Sequence, residues 1–191
     1  MRTKIMLQVL IFLLISTGIC SAEQWRYVGQ YYNAMYFPVT VYFDLDSSVY
    51  DEDHFEHYYD GDGAGLSGGY SKSTYGSGGT LVRLVYPVNG ITRSEIWNVN
   101  FTYNKYGGTG YVLRGYSLKY KINHQYIYNH DGYQIGEING SDNEEETLFD
   151  DIDINYEVLH GVRTYAKDWP DNALLDVYTK MCRYINEKNG K

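Results

Sequence analysis

Between Leu81 and Tyr103 the sequence doubles back on a two-residue turn, and this restricts the fold more than any other feature. Asn89-Gly90 is the pair that a type I′ hairpin turn requires, because both central residues take positive φ. Beyond the turn, Trp97, Val99, Phe101 and Tyr103 alternate with Asn98, Asn100 and Thr102, which places one apolar row on one strand face. Leu81–Val88 and Ile91–Tyr103 therefore read as an antiparallel pair. Parallel neighbours would need a long crossover that no two-residue turn supplies. Further strands are expected at Trp25–Tyr32 and at Phe37–Asp46, the second closed by Asp46-Ser47-Ser48. Gly107-Gly108-Thr109-Gly110 reads as a turn into Tyr111–Tyr120, where Val112, Tyr116, Leu118 and Tyr120 share a face. Gln125–Asn129 and Tyr133–Ile138 read as a hairpin around Asp131-Gly132.

The end of the chain changes period. Pro170 suits a first helical turn, with Asp168 and Asp171 at the positive end. Leu174, Val177, Tyr178, Met181 and Ile185 follow at helical spacing, and Arg183 and Lys188 lie toward the C-terminal end. An amphipathic helix after one-faced strands has that apolar face to cover. The expected fold class is α+β: a single antiparallel β-sheet, a meander of hairpins, packed by a C-terminal α-helix. Two stretches read as irregular. Residues 60–79, rich in Gly, Ser and Asp, are expected to be a mobile loop, since so little apolar surface cannot offset the ordering entropy. Residues 142–153, dense in Asp and Glu, are expected to be a solvated linker, and 154–165 is ambiguous.

The opening segment reads as a targeting signal. Arg2 and Lys4 precede Ile5–Ile15, an apolar run broken only by Gln8, and Cys20-Ser21-Ala22 offers a small-residue cleavage site. Residues 1–22 are expected to be a secretory signal peptide. The run falls well short of the roughly twenty residues that cross a bilayer. Residues 23–191 are then expected to form one domain without an integral membrane segment. The leader holds two of the 16 basic side chains and none of the 24 acidic ones, so cleavage moves the net charge from −8 to −10. That balance argues against nucleic acid and anionic membrane surfaces as partners. Ile19 and Thr17 occupy positions where a lipobox needs a small and an aliphatic residue, which argues against a lipid anchor on Cys20. The expected destination is outside the cytoplasm: periplasm, cell surface or medium. Cys182 would be the one thiol left, so no intramolecular disulfide is expected.

Catalytic motifs are missing from the sequence: it has no Gly-x-Ser-x-Gly elbow, phosphate-binding glycine loop or His-Glu-x-x-His. Cys182 falls on the core stripe of the helix, which suits a buried apolar role better than a nucleophile. His54 and His57, with Asp51 and Asp53 nearby, could share a Zn²⁺ or Ni²⁺ ion on a helix, but on a strand they would face opposite sides. Asp60-Gly61-Asp62-Gly63 opens like a calcium loop, yet Ser71 stands where a bidentate glutamate belongs. No metal and no cofactor is expected. Asn100 and Asn139 head two glycosylation sequons that would matter only in a eukaryotic secretory pathway. The remaining signal is 23 tyrosines. Tyr forms good strands, and it also offers rigid contact area with a polar tip. Tyr58, Tyr59, Tyr70 and Tyr75, in and beside the glycine stretch, are the binding candidates, and an open meander leaves edges for a homodimer.

Several short tracts resemble a known family. Trp25-Arg26-Tyr27-Val28-Gly29 opens a strand, and Tyr42-Phe43-Asp44-Leu45-Asp46-Ser47-Ser48 ends one. Leu81–Tyr86, Tyr128-Asn129-His130-Asp131-Gly132 and Asp168-Trp169-Pro170 before the last helix follow in order. Together they resemble the bacterial surface-adhesin E-like domains. The resemblance implies a small antiparallel sheet with a C-terminal helix, and a non-enzymatic envelope protein, sometimes dimeric, that binds host extracellular-matrix or serum proteins. The family's lipobox is missing, residues 60–79 and 142–165 look like expansions, and no basic cluster stands out. No binding residue transfers from it. The rival expectation is a periplasmic structural or envelope-assembly protein without a host ligand.

Overall fold

The computed structural model describes residues 24–59, 69–109, 113–140, 142–154, 164–165 and 169–190. The expected leader, the calcium-like tract and the start of the glycine stretch fall outside these residues. Nine strands form one antiparallel sheet: β1 Trp25–Tyr32, β2 Pro38–Asp44, β3 Val49–Tyr59, β4 Gly69–Val88, β5 Ile91–Thr109, β6 Leu113–Tyr128, β7 Gln134–Asn139, β8 Glu146–Ile154 and β9 Thr164–Tyr165. Among the described residues one helix, α1, runs from Trp169 to Lys188. The fold class is α+β.

Three long strands, β4, β5 and β6, with 20, 19 and 16 residues, make the spine. Each outer member of that spine is lined by two short strands set end to end. Along the free edge of β4, β3 pairs with its first half and β2 with Val82–Val85. Along β6, β8 pairs with Leu113–Tyr120 and β7 with His124–Tyr128. The path is thus β1-β2-β4-β5-β6-β8-β9, with β3 and β7 off it. Six pairs of consecutive strands adjoin as a meander requires; the β2–β4 and β6–β8 pairs instead each skip one strand.

The turns obey their residues. Asn89 and Gly90 take φ of 51° and 78°, the type I′ signature. At the two other tight hairpins an asparagine organises the loop. Asn33 Oδ1 accepts from the Met35 and Phe37 amides, each at 3.0 Å. Asn129 Oδ1 accepts from the Asp131 and Tyr133 amides at 3.1 and 2.9 Å.

Three expectations are overturned. Residues 69–79 of the expected mobile loop are strand, hydrogen-bonded along both edges to β3 and β5. The reason is a neighbour that fills the space the glycines leave. A Cβ on Gly76 would stand 2.2 Å from the Tyr50 hydroxyl oxygen, and one on Gly78 2.4 Å from the Val49 carbonyl oxygen. Tyr50 therefore lies across a glycine floor, and the apolar surface that orders this strand comes from another one. Gly107, Gly108 and Thr109 likewise continue β5 instead of turning. The acidic linker is also corrected: from Glu146 onward it is β8. Leu148 is completely buried and anchors it, while Glu146 receives the Tyr120 hydroxyl at 2.8 Å. Acidic side chains are compatible with a strand this near the sheet margin, where charge discourages further pairing.

The core lies between one sheet face and α1. Val39, Val41 and Phe43 from β2, Val82 and Leu84 from β4, and Val99 and Phe101 from β5 meet Leu174, Val177 and Met181. Burying each of these helix side chains is worth about 1.5–3 kcal/mol. Polar bonds at the rim fix the helix direction. Asp176 Oδ2 accepts from the Tyr31 hydroxyl at 2.5 Å, Lys180 Nζ donates to the Val28 carbonyl at 2.5 Å, and the Tyr178 hydroxyl donates to that of Tyr50 at 3.0 Å. Gly190, at φ of 70°, ends the helix in the left-handed conformation that glycine tolerates.

Candidate functional site

Strand alternation sorts the aromatics into two sets. On the helix side, Tyr50, Tyr103 and Tyr178 pack together, with Tyr50 and Tyr178 ring centroids 5.8 Å apart. Burial, followed by the neighbouring hydroxyl, holds the Tyr178 phenol far above its ordinary range. These rings are structural.

The other sheet face carries no described helix. The register puts Trp25, Tyr27, Tyr42, Phe55, Tyr75 and Tyr106 on it. Tyr27 and Phe55 are each 55% exposed and Tyr75 42%. They form small groups: Tyr27 packs edge-on against Tyr42 at 5.8 Å, and Tyr75 lies 5.5 Å from Phe55 and 6.1 Å from Tyr106. Arg83 sits 5.8 Å above the Trp25 ring. Between these groups runs a shallow groove of about 470 Å³, whose lining includes Asp51, Ser77, Asn100, Thr102, Lys121 and Glu145 beside apolar surface. Thr102 donates to Glu145 Oε1 at 2.7 Å. Broad, rigid rings beside adaptable amides and hydroxyls are the make-up of a protein-recognition surface.

The four tyrosines singled out from the sequence do not share a face. Tyr58 and Tyr70 are register partners on the helix-side face, with ring centroids 4.9 Å apart. Tyr75 belongs to the opposite face, and Tyr59 pairs in register with Gly69. The β1–β2 tip lies outside those candidates, and there Met35 is 76% and Tyr36 85% exposed. Tyr36 takes φ of 61°, uncommon for a bulky residue. The bonds to Asn33 hold it there. Apolar residues inside a turn centred on Asn33 were the available signal.

The metal and nucleophile candidates can be placed as well. His54 and His57 lie on a strand, where positions three apart fall on opposite faces. Among the described residues no group of three His, Cys, Asp or Glu side chains could hold a metal ion. His54 Nδ1 is 3.1 Å from Thr74 Oγ1, and its Nε2 lies 4.0 Å from Glu52 Oε2. This outline of a relay sits on open strand surface, without the water-excluded site that makes such groups effective. Cys182 packs against the core, and burial pushes its thiol up to about 11, with the Tyr178 hydrogen bond pulling the other way. Its thiolate is scarce at neutral pH. No helix of the described residues is long and apolar enough to cross a membrane. No family model, curated relative or solved structure matches the chain.

Proposed function

We propose that this chain is an exported bacterial envelope or surface binding module of the surface-adhesin E-like kind. It acts without catalysis and engages host extracellular-matrix or serum proteins. The observation that carries the reading is the aromatic sheet face, where Tyr27, Phe55 and Tyr75 stay exposed although a strand face could have been made polar at little cost. The rigid β1–β2 tip adds a second apolar patch. The short tracts from Trp25 to Trp169 support the likeness to that family. Of the four tyrosines singled out from the sequence, Tyr75 belongs to this face and Tyr58 and Tyr70 to the helix-side face.

Location is the first thing to establish. Intact producing cells are treated with protease and probed for the chain. Digestion on intact cells is the expected result. Protection until the envelope is opened would make this a periplasmic structural or assembly protein and remove host binding from the account.

A further inference from the structure

Between the β1–β2 tip and the first turn of α1 lies a cavity of about 350 Å³, walled by Met35, Val39, Leu84, Tyr86, Trp97 and Trp169 around Glu95. Its floor is apolar: Val39 and Leu84 are buried and Trp97 is only 8% exposed. The two indoles approach to 6.4 Å between ring centroids. Into this apolar space the sequence places one carboxylate. Glu95 Oε2 accepts from Trp97 Nε1 at 2.7 Å, and Oε1 accepts from the Tyr86 hydroxyl. Those donors fix the carboxylate's orientation and use about half of its acceptor positions. Neither donor carries a compensating charge. Arg93, the register partner of Tyr86, lies near enough for its charge to act on that phenol, but the ion pairs among the described residues do not include one to Glu95.

We propose that this cavity takes the basic side chain, arginine or lysine, of a protein partner. The aliphatic stem lies on Val39, Leu84 and Trp169, and the cationic head meets Glu95 between the Tyr86 and Trp97 rings. Three observations select this occupant. An oriented carboxylate flanked by aromatic rings attracts a cation by charge-assisted hydrogen bonding and by the ring quadrupoles. The chain's net charge of −8 steers basic partners toward it. The mouth adjoins Met35 and Tyr36, apolar surface that a small free cation would leave uncovered and a flanking peptide would bury. The inference rests on the binding-module reading and gives one feature of the partner.

The test uses the protein purified from its producing cells and three probes: a capped alanine-leucine-arginine-leucine-alanine peptide, its citrulline copy, and capped arginine alone. The indole N–H resonances of the three tryptophans report the site. The arginine peptide is expected to shift Trp97 and Trp169 saturably and leave Trp25, on the far face, in place. The citrulline copy, with the same shape and no charge, is expected to bind at least about tenfold more weakly. Glu95→Gln is expected to reduce the arginine peptide to the citrulline level. Should that variant fail to fold, the citrulline comparison on the unaltered protein decides alone. Equal affinity for the two peptides, silence of Trp97 and Trp169 at millimolar peptide, or capped arginine binding as tightly as the pentapeptide each overturns the proposal. A protein that is digested on intact cells yet ignores the arginine peptide loses this inference alone. One that is protected in cells yet binds the peptide loses the host-binding reading alone.

Discussion

Asp44→Ala is expected to destabilise the fold by about 3 kcal/mol, because it strips acceptors from several donors at once. Asp44 is only 4% exposed at the end of β2. Its Oδ1 accepts from the Gln24 amide at 3.1 Å, and its Oδ2 from the Ser47 amide at 3.0 Å. The Asp44 carbonyl accepts from Ser48 Oγ at 2.6 Å and from Thr80 Oγ1 at 3.0 Å. Ser47 Oγ in turn accepts from the Leu81 amide at 3.0 Å. The carboxylate therefore shapes the turn that carries the chain from β2 to β3, while the Asp44 carbonyl and the Ser47 hydroxyl tie that turn to the middle of β4. Thermal melting is expected to fall by about 2–4 °C for each kcal/mol in a domain of this size. Asp44→Asn keeps one acceptor and is expected to lose roughly half as much. A urea midpoint within error of the unaltered protein would show that the network contributes nothing.

Base is expected to unfold this protein cooperatively, beginning above about pH 10. Tyr31, Tyr50, Tyr86, Tyr120 and Tyr178 all hold their protons above the ordinary tyrosine range, first because they are buried. Hydrogen bonds to carboxylates, and for Tyr178 to the Tyr50 hydroxyl, reinforce this. Cys182 behaves alike, pushed up to about 11 by burial. The unfolded chain gives up these protons at lower pH, near about 8.5 for cysteine and 10 for tyrosine. Between those values and the raised ones the folded state binds more protons, so stability declines as pH rises. Below about pH 8 both states keep them and the contribution is constant. The last part of the tyrosinate absorbance and the loss of the far-ultraviolet circular dichroism signal should therefore appear together. Complete titration of all 23 tyrosines at unchanged circular dichroism would contradict the burial described for these five rings.

Much of the frame was legible because it is local. The Asn89-Gly90 turn, the alternation from Trp97 to Tyr103 and the helical stripe from Leu174 to Ile185 are each specified by residues within a few positions of one another. What failed depends on distant partners. Gly76 and Gly78 read as loop because their ordering surface, the Tyr50 ring, comes from another strand. The acidic tract read as linker because Leu148 and the bond from Tyr120 to Glu146 appear only once β6 is alongside. The aromatic side of the sheet was half legible: tyrosine abundance was visible, but the division into a buried and an exposed set follows from register and from where α1 lies. The Glu95 cavity draws on the β1–β2 tip, β2, β4, β5 and α1, and no short window of sequence contains it.

The central claim is that the exposed aromatic face binds protein. Its most direct test is retention of the purified chain on immobilised extracellular-matrix and serum proteins, beside a Tyr27→Ser, Phe55→Ser, Tyr75→Ser triple variant. These side chains lie outside the core, so the variant is expected to keep the parent's circular dichroism. Saturable retention of the parent on at least one of these proteins, reduced at least about tenfold in the folded variant, is the result the account predicts. Retention that the variant fully preserves, or none on any immobilised protein, would contradict it.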